Sequence, residues 1–168
     1  MRRPLIAAAV AVAALTGCGE GSPAPAGHQA HAATDSQAAT VATPNPCDLV
    51  TAAEVGTAVK ATVTAAGPED HNGLPGQRTC GYSEKDTAHV LSVAVWPADA
   101  ALYERMKAQA GAAAPMSDLG DLGEKAFGDP RYVAVLKGQW MINVVIVGFD
   151  VTGTAPAVAV ARAATSRI

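Results

Sequence analysis

Arg131-Tyr132-Val133-Ala134-Val135-Leu136-Lys137-Gly138-Gln139-Trp140-Met141-Ile142-Asn143-Val144-Val145-Ile146-Val147 decides the fold. Two β-branched runs flank the pair Gly138-Gln139, which is the pattern of a two-residue hairpin. The second run is apolar at nearly every position except Asn143, as expected of a central strand covered on at least one face. Working back along the chain, His89 to Trp96 is a second strand rich in β-branched residues. It pairs with the strand expected over 77–83 across the turn at Glu84-Lys85-Asp86. Shorter strands are expected at 61–66 and 125–127, with a glycine- and proline-rich loop over 67–76.

Three helices alternate with these strands. Thr51 and Glu54 have the spacing of a capping box, and Val50 and Val55 that of a hydrophobic staple, so a helix is expected from about Ala52 to Lys60. Glu54 is also a candidate acid, but within a capping box its carboxylate has a structural task. Asp99 caps a second helix that buries Leu102 and Met106 and ends at Gly111. Thr154, with Pro156 in the first turn, caps the last, whose inner side is Val158, Ala161 and residues 165–168. Helix, strands, helix, strands, helix, with hairpin-connected strand pairs, predicts an α+β domain of two layers: an antiparallel sheet built from hairpins, with about three helices packed on one face.

The domain is expected over 46–168, opened by Pro44-Asn45-Pro46. Residues 18–45 before it are made largely of Gly, Ser, Pro, Ala, Thr, Gln and His without apolar periodicity, and read as a flexible tether. The 27 residues after Cys18 would reach about 30 Å on average. Residues 1–17 have the zones of an export signal: Arg2 and Arg3, then an uncharged run of eleven residues, Leu5 to Leu15. That run is short of the roughly 20 apolar residues of a membrane span.

Leu15-Thr16-Gly17-Cys18 closes the run and resembles the lipobox of bacterial lipoprotein precursors. The resemblance implies that Cys18 becomes the diacylated first residue of the mature chain, anchored on the extracytoplasmic side of the cell membrane. Ala13, Ala14 and Gly17 would also suit an ordinary signal peptidase, which is the competing expectation. With Cys18 lipidated, Cys47 and Cys80 are an even pair in an oxidising compartment and read as a disulfide. Their spacing is not the C-x-x-C of a redox pair.

Pro46-Cys47-Asp48-Leu49-Val50-Thr51-x-x-Glu54-Val55, Cys80-x-Tyr82 and Leu119-Gly120-Asp121, following a lipobox and a low-complexity tether, resemble an actinobacterial family of exported lipoproteins known as a domain of unknown function. The resemblance covers about residues 44–168. It implies a cell-envelope location and a disulfide between Cys47 and Cys80, and it brings no catalytic residues. The tract 118–123 holds the motif's Leu-Gly twice, as Leu119-Gly120 and Leu122-Gly123, so two alignments compete.

Composition narrows the function classes. The whole chain carries a net charge of −3, and loss of Arg2 and Arg3 leaves 10 Lys and Arg against 15 Asp and Glu, a net −5. A mildly acidic domain without a basic run lacks the electrostatic footprint for nucleic acid. Aromatics make up only 4%, few for stacking sugars. Trp96 and Trp140, near the last hairpin, are the candidate ligand-binding residues, with the core as the competing place for both.

No metal or cofactor is expected. His28 and His31 in the tether supply two ligands where zinc takes three or four. Asp118, Asp121 and Glu124 lack the alternation of a calcium loop and are expected to flank buried Leu119 and Leu122. The G-x-S-x-G, H-E-x-x-H and phosphate-loop motifs are lacking, and His71 and His89 are the domain's histidines. The expectation is a non-catalytic binding or interaction module whose partner is a lipid, a wall component or an envelope protein. The partner would lie on the open sheet face or beside the last hairpin. The alternatives are an assembly factor of an envelope complex and a hydrolase whose active site is assembled from distant residues.

Overall fold

The computed structural model describes residues 41–69 and 73–168. In chain order the elements are α1 (Pro46–Leu49), α2 (Ala52–Val59), β1 (Val63–Glu69), β2 (Arg78–Glu84), β3 (Val90–Pro97), α3 (Ala100–Ala113), β4 (Ser117–Asp118), β5 (Lys125–Asp129), β6 (Tyr132–Lys137), β7 (Trp140–Val147) and α4 (Ala155–Thr165). The strands form one seven-stranded antiparallel sheet in the order β1-β2-β3-β7-β6-β5-β4. Both expected hairpins are present. In the β6–β7 turn Gly138 adopts φ +58°, the conformation the first residue of a two-residue turn requires and glycine adopts without strain.

The sheet is joined at its centre by β3 and β7, which pair along their whole length from Val90↔Val147 to Pro97↔Trp140. The chain between them, α3 and β4 to β6, is built outward from β7. This long-range pairing is what makes the two halves one sheet.

Side chains alternate between the two faces. Leu91, Val93 and Val95 of β3, with Ile142, Val144 and Ile146 of β7, join Val55 and Val59 of α2 and Ala157, Val160 and Ala161 of α4 in one core. Ala94 and Trp96, with Met141, Ala134, Leu136 and Phe127, join Tyr103 of α3 in a second. The α+β class and the antiparallel sheet are as expected; the placement of all helices on one face is corrected. α1, α2 and α4 share a face, and α3 lies on the other. The reason is that β5, β6 and β7 are apolar on both sides, so one layer of helices cannot bury them. Tyr103 meets Phe127 edge-on with ring centroids 5.4 Å apart.

α3 also runs past Gly111 to Ala113. A helical glycine costs about 1 kcal/mol relative to alanine, and the alanines around it continue the helix. Tyr103, not Leu102 or Met106, is its fully buried residue; those two are half-buried at the margin.

The start of the domain is locked at several points. Cys47 and Cys80 form the disulfide, tying α1 to β2. Two residues on, the buried Tyr82 hydroxyl donates to the Val50 carbonyl at 2.6 Å. The capping box forms as read: the Glu54 amide donates to Thr51 Oγ1 and the Thr51 amide to Glu54 Oε2. Val50 and Val55, the staple, are fully buried.

Candidate functional site

Cys18, His28, His31 and His71 lie outside the described residues. Trp96 and Trp140 lie within them and are not brought together. Trp96 is 2% exposed in the α3-side core and Trp140 is 7% exposed in the other, on opposite faces of the sheet. Both are core residues, which corrects the ligand-platform expectation. A stacking platform needs a ring face in solvent, and alternation along β3 and β7 turns both rings inward.

The acidic triplet disperses. Asp118 pairs with Lys107 of α3, Glu124 accepts from the Gly138 amide at 2.9 Å, and Asp121 occupies a left-handed turn position at φ +58°. Among the described residues no group of three His, Cys, Asp or Glu side chains is placed to hold a metal ion.

His89 sits in a polar corner. Its Nδ1 is 2.7 Å from Glu84 Oε2 and its ring lies 5.1 Å from that of Phe149. The nearby Thr87 hydroxyl donates to the Glu84 carbonyl and accepts from the His89 amide. Those contacts orient the turn between β2 and β3 and do not place a hydroxyl on the imidazole.

Titration follows packing. Burial pushes the Tyr82 and Tyr103 hydroxyls up to about 12 and raises that of Tyr132. Glu54 moves the other way, to about 2, because Arg167 bonds its carboxylate and the Thr51 amide adds a second bond. Arg167 also donates to the Leu49 carbonyl, so it clasps α1 and α2 from the far end of the chain. The chain separation conceals this partner: nothing near Arg167 marks it, and the bond closes across 113 residues.

The distinct surface feature is the part of the sheet that α3 leaves open. On β3 and β7, Val90 and Val147 stand directly opposite each other, 40% and 54% exposed. The paired Ser92 and Val145 beside them are half-buried. The same face continues over Thr79, Gly81 and Ser83 of β2 and Thr64 and Ala66 of β1. Along β2, β3 and β7 this face carries no charged side chain. Under α3 the same face is Trp96, Met141, Leu136 and Phe127. The open half is thus small, flat and uncharged, with an apolar pair of valines in it.

A sequence signal for this division exists along β3, where Val90, Ser92, Ala94 and Trp96 alternate with Leu91, Val93 and Val95. The serine and alanine mark the face that takes no helix until Trp96.

Two surface grooves border α2. One, of about 390 Å³, runs along α4 between Val59, Lys60, Val151 and Pro156; the other opens between Gly56, Lys60, Thr62 and Glu84. Neither gathers several polar groups on one point. Among the described residues no helix is long and apolar enough to cross a membrane. No family model matches this chain, and neither the curated proteins nor the solved structures contain a match.

Proposed function

We propose that the chain is an exported lipoprotein of the actinobacterial envelope type it resembles, held by Cys18 on the extracytoplasmic side of the membrane. Its folded domain serves as a non-catalytic interaction module, and its ligand is a protein. The observation that carries this reading is the uncharged half-face around Val90 and Val147. Exposed apolar groups gathered on one flat face are the mark of a protein-binding surface. Scattered exposed apolar side chains would carry no such meaning.

The chemistry of the face favours protein over the other partners. Sugar rings stack on aromatic faces, and both tryptophans are buried. An acyl chain needs a concave apolar site, whereas this face is an open sheet. Small side chains with serine and threonine hydroxyls let another backbone approach closely and keep the surface hydrogen-bonded when it is free.

A photoreactive amino acid at Val90, introduced into the full chain in an exporting actinobacterial host, tests the reading. The expected result is a discrete protein adduct that is missing with the same group at Thr57 on α2. Equal, diffuse labelling at both positions would contradict it. Mass spectrometry of membrane extracts tests the anchor: Cys18 is expected as an acylated N-terminus, and an unmodified secreted product would overturn that part.

A further inference from the structure

We infer that the partner on this face is a second copy of the chain, with α3 of each copy lying on the open half of the other's sheet. The inference rests on the reading of this face as an interaction surface, and it names the occupant. Two observations combine: the open half-face, and the side of α3 that points away from its own sheet.

The outer side of α3 is unusually small. Ala101, Arg105, Ala108 and Ala112 recur with the helical repeat, and all four are exposed. One flank of the helix is occupied by its own chain: Lys107 pairs with Asp118 of β4, and Lys125 of β5 with Glu104. The opposite flank, half-buried Leu102, Met106 and Ala110, therefore borders the open half of the sheet. Floor and wall make an L-shaped apolar corner.

Area and height decide what fits there. Four strands about 4.8 Å apart and five residues long cover about 300 Å². Two sheets meeting face to face would bury about 600 Å² in total, short of the roughly 1,000 Å² of a specific interface. They are also kept apart, because sheets pack about 10 Å apart and α3, a helix about 10 Å across, stands on the same face.

A second copy resolves both points by bringing its own helix. The outer side of a 14-residue helix, about 21 Å long and 10 Å wide, adds about 200 Å² per copy. The total then rises to about 1,000 Å². The arrangement is isologous: two helices lie side by side between two sheets, each covering half of each sheet, about a two-fold axis. Leu102 and Met106 of the two copies meet along the helix pair. Arg105, the one charge in the stripe, lays its stem on the sheet and carries its guanidinium to the rim. Copies anchored in one membrane meet at high effective concentration, which suits a contact of this size.

Full-length chains with two different tags, co-expressed in an exporting host, test this with a short thiol crosslinker. Val147→Cys in one chain and Ala108→Cys in the other are expected to give a mixed-tag dimer, and adding Ala112→Glu to lower it about tenfold. Thr57→Cys in place of Ala108→Cys should give none. Equal yields from the Ala108 and Thr57 pairs, or no mixed-tag dimer, would overturn the inference. If Val147→Cys instead couples to a protein of different mass, the second copy is excluded and the interaction reading stands. No adduct with any protein removes both.

Discussion

On the α3 side of the sheet, two neighbouring regions share strands and differ in fate. Under α3 lie Trp96, Met141, Leu136 and Phe127; a few residues along the same strands, Val90, Ser92, Val145 and Val147 face solvent. Side-chain size separates them. Large groups are present where the chain covers itself, and small or β-branched ones where it does not. The open half nevertheless has a rigid floor, because its reverse side is Cys80, Tyr82, Leu91 and Val93, packed under α1, α2 and α4. A flat surface is kept ready from behind.

The largest test of this contrast is Phe127→Ala in the covered half. It empties the centre of the α3 contact and is expected to cost about 3–5 kcal/mol in denaturant unfolding. Next comes the floor: Cys47→Ala with Cys80→Ala opens a loop of 33 residues' separation, a loss of about 3–4 kcal/mol. Tyr82→Phe leaves the Val50 carbonyl without its donor, and a cost of about 1–2 kcal/mol is expected. If Tyr82→Phe were neutral, the floor would be held by apolar packing and the disulfide alone.

A smaller effect carries a pH signature. Glu54 has a folded-state value of about 2 against an ordinary 4.5. A lowered carboxylate contributes stability that is fully present above the unfolded value and lost as pH falls through the folded one. Arg167→Met should therefore lower the melting temperature by a few degrees at pH 7, a modest effect because the pair is partly exposed. The difference from the parent should shrink between pH 4.5 and 2. A difference that persisted at pH 2 would assign the effect to the bond from Arg167 to the Leu49 carbonyl. The smallest effect belongs to the open half: Val147→Thr should change stability by less than about 0.5 kcal/mol while weakening partner capture.

Local chemistry was readable from the sequence. The capping box, the staple, the hairpin at Gly138 and the cysteine pair each depend on residue types at short spacing or on redox compartment, and the structure contains all of them. The side of the sheet that α3 takes was not. Leu102 and Met106 mark which side of the helix is apolar, but nothing in them says which face of the sheet receives it. The two tryptophans illustrate the same limit, since a strand position and its opposite face differ by one residue of register. Val90 and Val147 look like core valines in a one-dimensional pattern. Only the length and position of α3 leave them exposed.

Thiol labelling of Val147→Cys is the most direct measurement of whether the open half is covered where the protein works. The rate should be compared between intact exporting cells and purified full-length protein, with Thr57→Cys on α2 as the reference. Slowing of Val147→Cys by about tenfold in cells, with Thr57→Cys unchanged, is the expected result for a buried interface residue. Equal rates at the two positions in both settings would mean that the face stays bare, and would contradict the account.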